Sequence, residues 1–450
     1  MKEHKVVVIG GGSGGLYTAA GLARLHVDVA LVNVTEKLGG DCLHSGCVPS
    51  KSLIYASKQG MNWEKTSNHI KQVISEIQVH DSVERFEGLG VSVYIGHAKF
   101  VSPNEIEVNG QRIRAKKFVI ATGSMPRELT IEGLETAGYL TNESLFRLEH
   151  RPKTLAIIGA GPIALELGQA MAKLGTDVHI LNRSKEILGH FNSSIRAVAT
   201  NYFEKEMKIS NKTEVTHVEL EGNKKRLSLS NGKQIVVDDI MIAAGRIANI
   251  GSLRLENAGV TMKDGFIQVM DTYQTSRSHI YAIGDVVDTY THTHAAGLEA
   301  RAVIEHIVFP KKKKDIYLDF AAIIYSTPEV YQLFGDDKQV VETIEVTSKD
   351  IDRYKTEAMD DVIIRIGINK KGYVINAQAV GPNISDLMQL VAYTKRIKKP
   401  ISTWGSMTVP YPTHAQMLQQ ISNTYMSRTL EKPIVQSLLK TYMSMRGLSK

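Results

Sequence analysis

Cysteine is almost absent: the 450-residue chain contains two, Cys42 and Cys47. So little cysteine excludes a disulfide-stapled framework, and two thiols cannot build a thiolate-rich metal site. No uninterrupted apolar run is long enough to cross a bilayer, and no low-complexity tract occurs. Met1-Lys2-Glu3-His4-Lys5 leads straight into the strand-like Val6-Val7-Val8-Ile9, without a secretory pattern. The expectation is a reducing, cytoplasmic setting. Charge of one sign is scarcely in excess: 54 Lys and Arg against 47 Asp and Glu give +7. That reads as lysine spread over the surface, with a weak pull toward anionic small molecules or an acidic membrane face as the alternative. No nucleic-acid partner is expected. Lys311-Lys312-Lys313-Lys314, after Pro310, reads as a solvated linker.

What is present is ordinary globular chemistry, 43% apolar and 22% charged, in a length that suits about three domains. One theme occurs twice. A strand at 5–10 runs into Gly10-Gly11-Gly12-Ser13-Gly14-Gly15, a helix to about His26 and a second strand, Asp28 to Asn33. The order returns as the strand Thr154 to Ile158, then Gly159-Ala160-Gly161-Pro162-Ile163-Ala164, a helix to about Leu174 and the strand Asp177 to Asn182. Both match the dinucleotide-binding fingerprint in its strand–turn–helix–strand context. Gly10, Gly12, Gly159 and Gly161 allow the tight turn and the approach of a pyrophosphate. Gly15 and Ala164 are the small residues that let helix and strand pack. Two such loops in register suggest two nucleotides, one of which could be a flavin dinucleotide. From about Phe320 the pattern changes. Alternating segments such as Val362 to Ile368 predict antiparallel strands, followed by helices over 384–397 and 413–430.

The cysteines sit in Gly39-Gly40-Asp41-Cys42-Leu43-His44-Ser45-Gly46-Cys47-Val48-Pro49-Ser50-Lys51. Half of a metal site and two buried thiols are the bland alternatives. A single working dithiol that opens and closes, close to a nucleotide loop, is the preferred reading. A helix can begin at Val48-Pro49, so Cys47 stands where a helix N-terminus favours a thiolate.

Taken together, these motifs resemble the flavoprotein pyridine nucleotide-disulfide oxidoreductases, the family of dihydrolipoamide dehydrogenase, glutathione reductase and mercuric reductase. The likeness spans about residues 5–430 and includes Gly-Gly-x-Cys-x4-Cys-x-Pro-Ser-Lys in full, with Ala121-Thr122-Gly123-Ser124, Ala244-Gly245-Arg246 and Tyr281-Ala282-Ile283-Gly284-Asp285 in support. It implies an α/β chain with two Rossmann-like dinucleotide-binding domains, glutathione reductase-like, plus a C-terminal α+β dimerisation domain. The expected boundaries are 1–147 and 272–318 for FAD, 148–271 for NAD(P)H, 319–430 for the interface and 431–450 for an amphipathic tail. By the same resemblance, FAD is cradled by Gly10, Gly12, Gly15, Asn33, Gly40, Lys51, Ala121, Thr122, Gly123 and Gly284, with Asp285 on the ribityl chain. The nicotinamide nucleotide falls to Gly159, Gly161, Asn182, Arg183 and Gly245. Cys47 faces the flavin ring and Cys42 is the exchanging thiol. Lys51 pairs with Glu166 of the second fingerprint helix. No metal is expected.

The chain departs from the family pattern at the ends of the fingerprints' second strands and in one later segment. The acid that ends each fingerprint's second strand is replaced by Asn33 and by Asn182-Arg183. The second replacement removes repulsion of a 2′-phosphate and offers an arginine, so the reading leans to NADPH over NADH. The first weakens the hold on the adenosine ribose, with Glu36 as a nearby substitute. Further on, the family's acid–base segment His-Pro-Thr-x-x-Glu reads Tyr411-Pro412-Thr413-His414-Ala415-Gln416. A phenol titrates near pH 10 and is a poor base at neutrality. His414 is three positions away and reads as an exposed helix-start residue. Mercuric reductases also carry Tyr here but pass Hg(II) through a C-terminal cysteine pair that this chain lacks.

The expectation is therefore an NAD(P)H-oxidising homodimer that passes electrons through flavin and dithiol to a small disulfide, a metal ion or a quinone-like oxidant. A dihydrolipoamide dehydrogenase and a redox-sensing flavoprotein that acts through a partner are the rivals. His292 and His294 read as structural. The tail from Pro433 has a basic amphipathic pattern that suits packing in the dimer better than a membrane surface.

Overall fold

The computed structural model describes residues 1–309 and 316–448; the Lys311–Lys314 reading lies outside them. The chain divides into two compact units, Met1–Ile187 with Phe203–Ile316, and Leu188–Tyr202 with Tyr317–Lys450.

The first unit holds both fingerprints. Around the first, the strands Ser92–Ile95, Val29–Asn33, Lys2–Ile9 and Gln111–Ile120 run parallel in that order, and Ile280–Ala282 adds to the last, also parallel. The run Val6–Ile9 is buried on both faces, as a covered parallel strand must be. Side chains alternate across it: Val7 and Ile9 enter one core with Phe118, while Val6 and Val8 enter another with Leu31 and Val119. The second core is closed by the helices Ser13–Arg24 and Thr293–Val308, through Leu16, Ala19 and Leu22 against Ala300, Val303 and Ile304. Around the second fingerprint, the parallel strands Lys208–Asn211, Asp177–Asn182, Thr154–Ile158 and Asp239–Ile242 form their own sheet. Its helix, Pro162–Lys173, begins on a proline, whose missing N–H costs nothing at a first turn.

The second unit is an antiparallel sheet in the order Ala321–Ile324, Glu329–Leu333, Val374–Gly381, Ile363–Ile368 and Glu342–Thr347. Ile364, Ile366 and Ile368 point into a core shared with Met388 and Val391 of the helix Ile384–Arg396 and with Met417, Leu418 and Ile421 of Gln416–Leu430. The second of these helices starts three residues later than the pattern predicts. The Gln416 side chain turns back to accept from the Thr413 N–H, which ends the loop before the helix begins. A last helix, Pro433–Met445, has no buried side chain among the described residues, and Ile434, Leu438, Tyr442 and Met445 leave an apolar stripe in the open. Among the described residues no helix is long and apolar enough to cross a membrane.

Candidate active site

The first glycine loop is shaped by contacts that a side chain would destroy. Gly10 has φ +111°, and a Cβ there would stand 2.3 Å from the Ala121 carbonyl oxygen. A Cβ on Gly15 would stand 1.8 Å from the Gly10 carbonyl oxygen, whereas one on Gly12 would meet only the Gly40 Cα, at an ordinary contact distance of 3.9 Å. The loop is also fastened to the dithiol segment: the Gly39 N–H donates to the Gly11 carbonyl at 2.8 Å, and Gly40 presses on Gly12. Asn33, expected at a ribose, holds the loop. Its Oδ1 accepts from the Gly11 N–H at 2.9 Å, and its Nδ2 donates to the Thr35 carbonyl at 2.8 Å. Glu36 is exposed.

Beside the loop, Thr122 buries a hydroxyl that finds no partner among the described residues. Gly123 (φ +70°) has nothing where a Cβ would sit, Ala121 is buried, and Gly284 (φ +71°) donates its N–H to buried Glu299 at 2.5 Å. Asp285 accepts from the Ser124 hydroxyl at 2.5 Å. A helix N-terminus over a glycine cradle, an unspent hydroxyl and a carboxylate fit a dinucleotide with a hydroxylated chain.

The second loop repeats the first. Gly159 (φ +118°) lies against the Ala243 carbonyl oxygen as Gly10 does against that of Ala121; Gly161 is open, and Gly245 has φ +113°. Asn182, expected at the nucleotide, is buried and spends its amide nearby, donating to Asn211 Oδ1 at 2.7 Å and accepting from the Ser184 N–H at 3.1 Å. Arg183 is exposed at the strand's end.

The thiols occupy adjoining helices. Cys42 lies in Gly40–His44, and Cys47 is the first residue of Cys47–Lys58, where free N–H groups favour negative charge. Both are thiols, Cys47 exposed and Cys42 half-buried. The Cys42 thiol hydrogen-bonds Cys47 and holds it down to about pH 6; the Thr293 hydroxyl and the Lys51 charge help, against burial and Glu166. The same hydrogen bond, with burial, pushes the Cys42 thiol strongly up. Cys47 is thus favoured as the thiolate and Cys42 is its hydrogen-bond donor. Thr293, which opens the helix beneath, lies 3.2 Å from the Cys47 sulfur. One helical turn after Cys47, Lys51 reaches Glu166 at 2.8 Å; the carboxylate side chain is 8% exposed and the lysine 38%.

Arg246, part of a recognised motif but not read as a site residue, joins these parts. It pairs with Asp41 at 2.8 Å, donates to the Ser124 hydroxyl at 2.7 Å and carbonyl at 2.9 Å, and reaches Asn142 at 3.3 Å. Asn142 in turn donates to the Ser45 carbonyl, between the cysteines, at 3.0 Å. Thr293 and Asn142 carried no signal in the chain's local pattern.

In the second unit Tyr411 is 71% exposed and donates to Asp352 at 3.1 Å. That hydrogen bond and the carboxylate's charge push its phenol above the ordinary range. His414, expected as an exposed helix-start residue, is half-buried. It meets Glu357 at 2.9 Å and stacks on Tyr354, with ring centres 4.4 Å apart, beside a cavity of about 500 Å³ that Asp386 and Leu387 also line. His292 and His294 stand together at the start of the Thr293–Val308 helix, their rings 5.4 Å apart.

Residues 4–300 match the family model described as pyridine nucleotide-disulphide oxidoreductase. The chain belongs to that family, whose members depend on FAD and use NAD(P)H; it is an NAD(P)H-dependent flavoprotein disulfide oxidoreductase. Among its relatives, a glutathione reductase from Nostoc sp. is 28% identical over 457 residues, covering 92% of this chain and 98% of that protein. A dihydrolipoyl dehydrogenase from Thermus scotoductus is 32% identical over 353 residues, covering 73% and 76%. A mercuric reductase from Staphylococcus aureus is 27% identical over 459 residues, covering 94% and 82%. In fold, the chain is similar to the Cu(II) complex of the HOCl-induced flavoprotein disulfide reductase RclA from Escherichia coli, with a TM-score of 0.88 at 21% identity over 94% of this chain and 100% of that one.

Proposed function

We propose that Cys42 and Cys47 relay electrons from NADPH to a small, strongly thiol-reactive acceptor, such as a soft metal ion or a quinone-like oxidant, ahead of a free disulfide. The observation that carries this reading is the thiol pair itself, one depressed to about pH 6 at a helix head and the other raised as its hydrogen-bond donor. Bound FAD supplies the two-electron station between hydride and sulfur. Gly10, Gly12, Gly15, Gly40, Ala121, Thr122, Gly123, Gly284 and Asp285 would hold it, with Asn33 keeping the glycine loop in shape. Gly159, Gly161 and Gly245 would take the nicotinamide nucleotide. In balance, NADPH, one proton and the Cys42–Cys47 disulfide give NADP⁺ and two thiols. Lys51, paired with Glu166, places a positive charge that favours a thiolate at Cys47. Cys42 then meets the acceptor, and the proton it loses can pass to Cys47 along their hydrogen bond. Tyr411 supplies no base, because a phenol held up by Asp352 stays protonated at neutral pH.

The preference for acceptors that need no base follows from that proton economy. The relatives are named for glutathione, mercury and dihydrolipoyl groups, and the similar RclA structure is a Cu(II) complex. With no third cysteine, delivery of Hg(II) by a second thiol pair has no residues to use. Arg183, exposed where an acid would repel phosphate, supports NADPH, while the inward-turned Asn182 contributes shape alone. Family members are generally homodimers. For this chain we read residues 319–430 and the apolar stripe of the tail as the surface for a second copy, in a cytoplasmic enzyme. The bounds 1–147 with 272–318, and 148–271, remain the reading for the FAD and NADPH segments.

Cys42→Ser tests the relay. The variant should stay yellow and take electrons from NADPH, yet lose turnover with thiol-reactive acceptors by at least ~100-fold. Undiminished turnover in stopped-flow and steady-state assays would refute it. A lipoamide assay on the wild type decides the dihydrolipoamide dehydrogenase alternative.

A further inference from the structure

We propose that Arg246 is a positioning residue for the dithiol: its guanidinium clamps the Cys42-bearing turn to the loop that carries Asp285, and so sets where Cys42 stands relative to Cys47. The proposal rests on the dithiol reading above and adds a residue to it. Arg246 reaches Asp41, Ser124 and Asn142, three places far apart in sequence, with a side chain 19% exposed. Asp41 is the residue before Cys42 and also accepts from the Ser45 hydroxyl. The Ser45 carbonyl accepts from Asn142, which accepts from Arg246. The circuit Arg246–Asp41–Ser45–Asn142 is therefore closed, and the turn between the two cysteines is tied at both ends. On its other side Arg246 holds Ser124, whose hydroxyl continues to Asp285. A planar fork can serve these directions at once; an ammonium on a flexible stem cannot.

The clamp acts on sulfur through position. The groups whose charge or hydrogen bonds bear most on Cys47 are Cys42, Thr293, Lys51 and Glu166, and those on Cys42 are Cys47 and Thr293. If the turn loosens, Cys42 leaves hydrogen-bond distance, and Cys47 loses the largest influence that holds it down.

The test uses full-length FAD-loaded protein, reduced with a phosphine, desalted anaerobically and labelled with iodoacetamide across pH. Peptide mass spectrometry follows Cys47 and Cys42 separately. Wild-type Cys47 should label with a midpoint at about pH 6. Arg246→Gln and Asp41→Asn should each raise that midpoint by about one pH unit with unchanged far-UV dichroism. Arg246→Lys should fall between, since it keeps the ion pair and loses the fork. Arg226→Gln, which removes an outlying pair with Glu221, should leave the midpoint in place. Folded Arg246→Gln and Asp41→Asn proteins with the wild-type midpoint overturn the clamp. Should Arg246→Gln fail to fold, Asp41→Asn decides alone. A wild type in which neither thiol labels below pH 7 overturns the dithiol reading, and the clamp with it.

Discussion

The two glycine loops share a plan and differ in how tightly they are tied. In each, the first glycine sits at positive φ against a carbonyl just past the end of the adjacent strand, Ala121 for Gly10 and Ala243 for Gly159. The first loop then leaves no room for a methyl at Gly15, while the second accommodates one in the buried Ala164. The asparagines that end the second strands diverge as well. Asn33 grips the backbone of its own loop at Gly11, but Asn182 turns to Ser184 and Asn211. A cross-tied cradle suits a ligand that stays; a looser one suits a ligand that enters and leaves each cycle. One fingerprint can thus be tuned for residence or for exchange by the residues around it rather than by its glycines.

That contrast is open to attack by substitution. The largest effect is expected from Gly15→Ala, whose methyl would meet the Gly10 carbonyl. A loss of about 3 kcal/mol and of bound flavin should follow, read by denaturant melts and absorbance. The mirror change, Ala164→Gly, should cost about 1 kcal/mol, from helix propensity, and keep the flavin. Equal losses in the two variants would erase the distinction. Next, Arg183→Glu should lower kcat/KM for NADPH by at least ~10-fold and leave NADH nearly unchanged; a matching loss with both would show that Arg183 meets no phosphate. Smallest is the asparagine pair. Asn33→Ala should weaken FAD binding about fivefold, the worth of one hydrogen bond of about 1 kcal/mol, whereas Asn182→Ala should leave it alone. Equilibrium dialysis against FAD separates the two.

The glycine loops were legible because their information is local: spacing, strand and helix follow one another within about 30 residues. The antiparallel sheet of the second unit was legible for the same reason, since Ile364, Ile366 and Ile368 alternate inward. The contacts that set the chemistry are not local. Thr293 meets Cys47 across 246 positions, and Lys51 meets Glu166 across 115. Nothing in the neighbourhood of Glu166 marks it as more than one polar residue on a helix, and only the family likeness singled it out. Arg246 lay inside a recognised motif, but its partners Asp41 and Asn142 come from separate segments, so its place at their junction shows only in three dimensions. The pairing of His414 with Glu357 escaped notice likewise, because the acid comes from beyond a short helix 57 positions away.

Gly12 and Gly40 bear on how this chemistry can be moved to another scaffold. A Cβ on Gly40 would stand 2.7 Å from the Gly12 Cα, so the two segments meet backbone to backbone. Glycine loop and cysteine turn are shaped to a common face, and neither can be transplanted alone. A graft that carries the cysteine segment without its matching glycine loop would deliver two ordinary thiols.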